Sequence, residues 1–400
     1  MTTSSAKKET GTEAVVIQKP PRLQSLDFLR GLTVAFMILV NDPGDWGHIY
    51  WPLDHSKWNG CTPTDLVAPF FLFMVGVAIV YALSAKVANN QSHGKLMLTI
   101  LRRTVIIVFL GIFMGTIITF LLGLFMTVNG SVDFAHLRIP GILQRIGIVY
   151  GICSILYLKT SIRTQVYIAI ACLVGYFLIM TLVPVPGFGP ANLNPGTNLG
   201  AYVDRAVFGV NHLWSERKTW DPEGLLSYIP SIATTLIGVF VGTYLKKDKL
   251  KSTKQISQLG GVGILLIIGG LIWNIWFPIN KALWSSSYAL LTAGLAIVCL
   301  ALSYWIIDIK GNNKLLPPFL AFGRNAIAAY ILSDFIPTLL SLIPATYHGI
   351  KTNVWGWVYD TLCVPYFSPV NASLVGAILT VIIIFIPVWV LYKKNIIVKI

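Results

Sequence analysis

The chain has 400 residues, of which 55% are hydrophobic and 12% charged, and its mean hydropathy is +0.71. Soluble domains carry about a quarter of their residues as charges, so a water-soluble globular fold is excluded and an all-α polytopic membrane protein is indicated. The formal net charge of +14 does not point to nucleic acid, because the Lys and Arg residues sit in short clusters beside apolar runs rather than in one aromatic-studded patch.

Residues 1–24 read as a cytoplasmic tail. They contain Lys7, Lys8, Lys19 and Arg22 but lack the compact apolar core and small-residue cleavage site of a signal peptide. Residues 25–400 read as a single membrane domain. Apolar runs near or beyond the ~20 residues that cross a bilayer predict helices at 26–41, 63–86, 97–126, 139–158, 164–184, 224–245, 256–277, 282–307, 315–343 and 373–392, about ten spans.

One set of loops is cationic: Lys86 to Arg103, Lys159 to Arg163, KKDKLKSTK at 246–254, Lys310 with Lys314, and the terminal YKKNIIVK. The positive-inside rule assigns them to the cytoplasm together with both termini. Loops 42–62, 127–138, 185–223, 278–281 and 344–372 then face outward. The first holds Asp42, Asp45 and Asp54 against Lys57, whereas Arg205, Arg217 and Lys218 in loop 185–223 run against the trend.

An ionisable side chain within a span is costly unless it pairs or meets water, so the few present are informative. Asp27 and Arg30 stand at i and i+3 in the first span, either as a snorkelling interface anchor or as a hold for an anionic substrate. Asn41 ends that helix, a position suited equally to a terminator and to a reacting group. Between the first two spans lies DHSKWNGCTPTDL, with His55, Trp58 and Asn59 ahead of Thr62-Pro63-Thr64-Asp65. Thr62 at the N-cap, Pro63 next and Asp65 at the third position make a capping-box start. His55 lies ten residues before Asp65, and imidazole is the side chain best suited to accept and return a proton near neutral pH.

Farther along, RIPGILQRIG sets Arg138, Gln144 and Arg145 at the outer end of the fourth span. Arg145, nearly two turns inside, needs a partner, and Asp221 or Glu223 of WDPEGLLSYIP are the available acids. In the ninth span Arg324 and Asn325 fall near membrane depth, where an ion pair with Asp27 or Asp334 competes with a ligand contact. His48, His93, His136, His212 and His348 are in loops without metal-ligand spacing, so no metal site is supported. Cys153, Cys172 and Cys299 lie in apolar runs; Cys61 and Cys363 are on outward loops, and the sequence does not decide whether they pair. No phosphate-binding loop, dinucleotide fingerprint or nucleophile elbow is present.

The blocks SLDFLRGLTVAFMILVN, DHSKWNGCTPTDLVAPFFLFMVG, RIPGILQRIGIVY, DPEGLLSYIPSIATTLIGVFVG, LWSSSYALLTAG and GRNAIAAYILSDF resemble, in that order, the heparan-alpha-glucosaminide N-acetyltransferase family of transmembrane acetyltransferases. The shorter form is similar to bacterial members, whereas animal members carry an extra luminal domain and a preceding span. Arg22, Asp27 and Arg30 are also similar to the start of the wider acyltransferase-3 group, in which a His takes about the place of Asn41.

The resemblance implies a bacterial inner-membrane enzyme that takes acetyl-CoA from the cytosol and passes the acetyl group to an amino sugar outside. It implies His55 as the central catalytic residue with Asn41 and Asp65 beside it. His55 would deprotonate the attacking amine, Asn41 would donate to the thioester oxyanion, and Asp65 would fix the imidazole tautomer. For the CoA diphosphate the nearest cations by topology are Arg30, Arg102 and Arg103, with Arg324 and Asn325 as further candidates. Asp27, Trp58, Asn59, Gln144, Arg145, Asp221 and Glu223 are candidates for substrate binding or for structure. Direct transfer and passage through an acetylated His55 both stay open. The acceptor expected is a glucosamine-containing periplasmic glycan or peptidoglycan fragment, and a homodimer is neither required nor excluded. The competing reading is an amino-sugar permease, which a ten-span bundle with midplane Arg and Asn suits, although no Gly/Pro-broken helices recur in matching halves.

Overall fold

The computed structural model describes residues 23–126, 134–247, 253–312, 314 and 316–398. The tail read at 1–24 lies, apart from its last two residues, outside the described residues, as do most of loop 127–138 and the middle of the basic run 246–254. In lipid the backbone must satisfy its own polar groups, and the apolar runs do so as helices. In chain order they are α1 (Gln24–Asn41), α2 (Val67–Ala88), α3 (His93–Met126), α4 (Ile142–Lys159), α5 (Ile162–Leu182), α6 (Leu199–Phe208), α7 (Tyr228–Lys247), α8 (Thr253–Trp273), α9 (Ser286–Ser303), α10 (Leu316–Arg324), α11 (Ala326–Leu342), α12 (Val354–Leu362) and α13 (Pro369–Lys393). The sheet among the described residues is a short hairpin, β1 (Pro344–Tyr347) against antiparallel β2 (Ile350–Asn353), with Pro344 opposite Asn353.

Among the described residues eight helices are long and apolar enough to cross a membrane. The expected ninth span at 315–343 is instead two helices, α10 and α11, bent by 84° at Asn325. Asn325 is fully buried there. Its Nδ2 donates to the Ile396 carbonyl at 3.1 Å and its Oδ1 accepts from the Val398 amide at 2.9 Å, so the amide satisfies the C-terminal segment at the break. The first expected span is α1, whose opening turns carry Gln24, Ser25, Asp27 and Arg30, which leaves it more polar than the other eight.

Inside and outside of the bundle separate by burial. Of the most apolar window of α7, 67% is buried, against 17% for α3 and for α8, so α7 sits centrally with α2 and α9 while α3 and α8 present apolar flanks to lipid. The central contact between α2 and α7 is a backbone-to-backbone approach. A Cβ on Gly76 would run into the Thr235 carbonyl oxygen, and one on Gly238 into that of Phe73. Without a hydrophobic drive between helices in lipid, this closeness is what gives the pair its dispersion contact.

The loops assigned to one side by charge do meet at one end of the bundle. Gly60 N donates to Ile279 O at 2.7 Å, Trp58 Nε1 to Leu193 O at 3.0 Å, and Tyr50 OH to Asn371 Oδ1 at 2.6 Å. Gly76→Val forces a branched side chain into backbone and is expected to cost about 1–3 kcal/mol. It should lower the thermal midpoint of the detergent-solubilised protein, whereas Gly175→Ala, which meets open space, should leave it unchanged or higher.

Candidate active site

The site grows from the start of α2. Thr62 N donates to Asp65 Oδ2 at 3.0 Å, closing the capping box over the 3₁₀ turn Pro63–Leu66 that leads into the helix. Ser56 N donates to the same oxygen at 3.2 Å, so Oδ2 is occupied by backbone. The other oxygen, Oδ1, meets His55 Nδ1 at 2.8 Å. Asp65 is 0% exposed, and the Tyr288 hydroxyl donates to its main-chain carbonyl. The same carboxylate therefore caps the helix and orients the ring.

With the carboxylate accepting a hydrogen bond from Nδ1–H, the lone pair of His55 is left on Nε2, and its side chain is 47% exposed. Beside it stands Lys281. The Lys281 Nζ lies 3.1 Å from Nδ1 and 3.3 Å from Nε2 of the ring and 3.6 Å from Asp65 Oδ1. The turn that carries Lys281 is pinned to the His55 loop: Asn280 Nδ2 donates to Asn59 Oδ1 at 3.2 Å, and Asn280 Oδ1 accepts from Leu283 N at 2.9 Å. Burial pulls the Lys281 ammonium below the usual lysine range, and the charges of Asp65 and Glu223 only partly offset it.

A second charged group abuts the first. Arg138 grips Asp221 with two bonds, Nε to Oδ2 at 2.8 Å and Nη2 to Oδ1 at 2.6 Å, and reaches Glu223 Oε2 at 2.6 Å. Burial works to raise the Glu223 carboxyl, yet the charges of Arg138, Arg145 and Lys281 outweigh it and hold it below its ordinary value. Arg145 is not the partner of these acids that the sequence suggested. α4 begins only at Ile142, which puts Arg145 in its first turn, 1% exposed, with Nη2 donating to Pro222 O at 2.9 Å and to the Ser227 hydroxyl. Its guanidinium lies 4.6 Å from the Trp284 ring centre. Arg138, one turn ahead of the helix, is close enough to take both carboxylates itself.

The remaining predicted residues spread over the molecule. Asn41 is exposed at the last residue of α1, and among the described residues no hydrogen bond joins it to His55 or Asp65. The Trp58 ring meets that of Trp220 edge to face at 5.0 Å. Gln144 is buried and donates to Ile139 O at 3.1 Å, bracing the approach to α4. At the other end of the bundle Asp27 pairs with Arg30 at 3.0 Å, and Arg30 Nη1 also donates to Gly323 O at 3.3 Å. Arg324 pairs with neither Asp27 nor Asp334; it lies 5.1 Å from the Tyr392 ring centre, and its Nε has no hydrogen-bond partner among the described residues. Arg103 stands 5.0 Å from the Tyr150 ring centre, and Arg102 is exposed. All five cysteines, Cys61 and Cys363 included, are free thiols. Among the described residues no group of three or more His, Cys, Asp or Glu is placed to hold a metal ion.

Lys281 is the residue the sequence did not single out. Its one trace is to be the lone cation of a four-residue outward loop that ends three residues before the buried Ser285-Ser286-Ser287 run. Asp204 is another, a buried carboxylate on α6 inside a stretch that reads as loop.

Fold and site together define a polytopic helical membrane protein with an Asp65–His55–Lys281 cluster among the loops at one end of the bundle. Residues 22–277 match the family described as heparan-alpha-glucosaminide N-acetyltransferase, catalytic, and the chain belongs to that family. The human heparan-alpha-glucosaminide N-acetyltransferase is 29% identical over 366 residues, covering 78% of this chain and 52% of its own length. The mouse protein of that name is 30% identical over 374 residues, covering 79% and 54%. The chain thus spans about half the length of the curated relatives it matches. Asn41, His55, Asp65, Arg138 and Glu223 fall inside the matched region, and Lys281 lies just beyond it.

An ammonium held low by burial offers more free amine at a given pH. Lys281 is therefore expected to take up a small amine-directed acylating reagent from a lower pH than exposed Lys57 on the same face, with peptide mass spectrometry across a pH series as the measurement.

Proposed function

We propose that the protein is a transmembrane N-acetyltransferase that moves an acetyl group from acetyl-CoA to the amine of a glucosamine-type sugar. The single observation that carries this reading is the Asp65–His55 pair, a base whose tautomer is set by a fully buried carboxylate, in a chain whose named relatives are N-acetyltransferases.

In the proposed reaction the sugar enters as a free amine and its nitrogen attacks the thioester carbonyl. The N–C bond forms, His55 Nε2 takes the amine proton, the C–S bond breaks, and the proton passes to the departing CoA sulfur. Asp65 stabilises the imidazolium while it lasts. Lys281 takes the electrostatic role, its charge available to the oxyanion that develops on the carbonyl. Direct transfer is the simpler route with this geometry.

The donor is placed at the opposite end. Arg30 lies eleven residues before Asn41 on α1, about 16 Å along the helix axis, a span for the extended arm of CoA with its diphosphate near Arg30, Arg102 and Arg103. The loop charges support a reading with that end in the cytoplasm and His55 outside, at the inner membrane of a bacterium, with a periplasmic amino sugar as acceptor.

Purified protein with labelled acetyl-CoA and glucosamine should yield N-acetylglucosamine. His55→Ala should lower turnover by about 10²- to 10⁴-fold, and Lys281→Met by on the order of 10²-fold with acetyl-CoA affinity kept. Transfer that survives His55→Ala removes it as the base. Label retained on His55 without acceptor overturns the direct route, and sugar uptake into vesicles without acetylation favours a permease. Sidedness is tested at Lys57→Cys, which should react with an impermeant reagent from outside intact cells; reaction from the cytosol alone would reverse the proposed orientation.

A further inference from the structure

The side chain that stands against the proposed base is itself an amine. Lys281 Nζ lies 3.1 Å from Nδ1 and 3.3 Å from Nε2 of the His55 ring. The backbone that carries it is tied to the His55 loop twice, by Gly60 N donating to Ile279 O at 2.7 Å and by Asn280 Nδ2 donating to Asn59 Oδ1 at 3.2 Å. An amine held this close to a base meets one requirement of an acyl acceptor before any substrate enters, because the encounter with the base is already made.

The other nucleophiles of the loop are engaged or inert. The Ser56 hydroxyl donates to Gly60 O at 3.3 Å and the Thr62 hydroxyl to Asp54 O at 2.7 Å. Burial, and then the charge of Asp65, push the Cys61 thiol up to about 12, so it carries almost no thiolate near neutral pH. Lys57 is exposed, and among the described residues no hydrogen bond joins it to the ring. Lys281 differs from all four: it touches the imidazole, and burial lowers its ammonium, which favours the free amine.

We propose that Lys281 is a self-acetylation site, an internal acceptor that takes the acetyl group when acetyl-CoA is present and no sugar competes for it. The proposal rests on the acetyltransferase reading and adds to it a way for the site to be shut off. The free Nζ amine attacks the thioester carbonyl and the N–C bond forms. His55 Nε2 takes an amine proton, the C–S bond breaks, and the proton leaves with the CoA sulfur as a thiol. The products are an N-acetylated lysine and CoA, and no further reactant is needed. The amide is uncharged, so Asp65 loses the cation 3.6 Å from its Oδ1, and the oxyanion of the next cycle loses its counter-charge. An amide does not return its acetyl group, which places the modified chain off the reaction path. The ammonium form does not attack, so modification rises with pH as the free amine does.

The experiment incubates the detergent-solubilised protein with acetyl-CoA, with and without glucosamine, and follows acetyl occupancy of Lys281 and Lys57 by peptide mass spectrometry alongside residual turnover. Lys281 should be acetylated at least about tenfold faster than Lys57, glucosamine should suppress it, and turnover should fall in step with occupancy. His55→Ala and His55→Gln should each slow acetylation of Lys281 by about 10²-fold or more and leave that of Lys57 unchanged. Whatever turnover Lys281→Arg starts with should not decline during the same incubation. Equal rates at Lys281 and Lys57, or occupancy of Lys281 indifferent to His55 and to glucosamine, overturns the proposal. Acetylation of glucosamine with Lys281 left unmodified overturns this inference and leaves the acetyltransferase reading standing. Acetylation of Lys281 through His55 with none of glucosamine sinks the sugar as acceptor and leaves the self-acetylation standing; acetylation of neither overturns both.

Discussion

A single carboxylate organises the reactive end of the molecule. Asp65 caps the start of α2 through the Thr62 amide, fixes the His55 ring through Nδ1 and faces the Lys281 ammonium, all without exposure to water. A buried carboxylate must be fully paired to be tolerated, and the partners that pair it include the His55 and Lys281 of the proposed reaction. The helix start and the base are therefore one structural fact: moving α2 by a residue would release the ring, and removing the ring would leave a buried charge short of a partner.

Around this centre the charges are interlocked rather than scattered. Arg138 binds Asp221 and Glu223, Arg145 braces the Pro222 carbonyl between them, and Glu223 feels Lys281 as well as both arginines. Loops from separate stretches of chain are thereby tied together at one end of the bundle, where Val185, Leu199, Phe277 and Leu283 also form an apolar cluster with Trp58, Leu193 and Leu226 packed against it. To that cluster the arginines add charge-assisted hydrogen bonds at 2.6–2.8 Å, while the spans beneath are fitted by close helix approaches such as that of Gly76 and Gly238.

The spans were legible because lipid imposes a composition that nothing else mimics, and each of the ten apolar runs holds a helix. The bend at Asn325 was not legible, since a buried Asn within an apolar run reads the same whether it faces a ligand or satisfies the chain end. His55 and Asp65 were legible from a loop imidazole set before a capping sequence, where local geometry alone brings the two within reach. Lys281 was not, because 226 residues separate it from His55 and a lone lysine in a short loop carries no periodicity. Arg145 was assigned the wrong partners for a related reason: sequence gives the sign of a charge but not which of two nearby arginines reaches the acids. Asn41 stood out through resemblance; it sits at the end of α1, and among the described residues no hydrogen bond joins it to the ring.

Holding Lys281 in place has a visible backbone cost. Trp284, three residues on, adopts φ 51°, a left-handed conformation that a bulky side chain avoids and that persists only where the surroundings over-determine it. They do so here: the indole is 1% exposed, donates to Thr234 Oγ1 at 3.2 Å and lies under the Arg145 guanidinium, while Asn280 ties the turn to Asn59 and to Leu283. A turn meant only to connect α8 and α9 had no need of such restraint. Its effect is to set the ammonium against the imidazole and the Asp65 carboxylate.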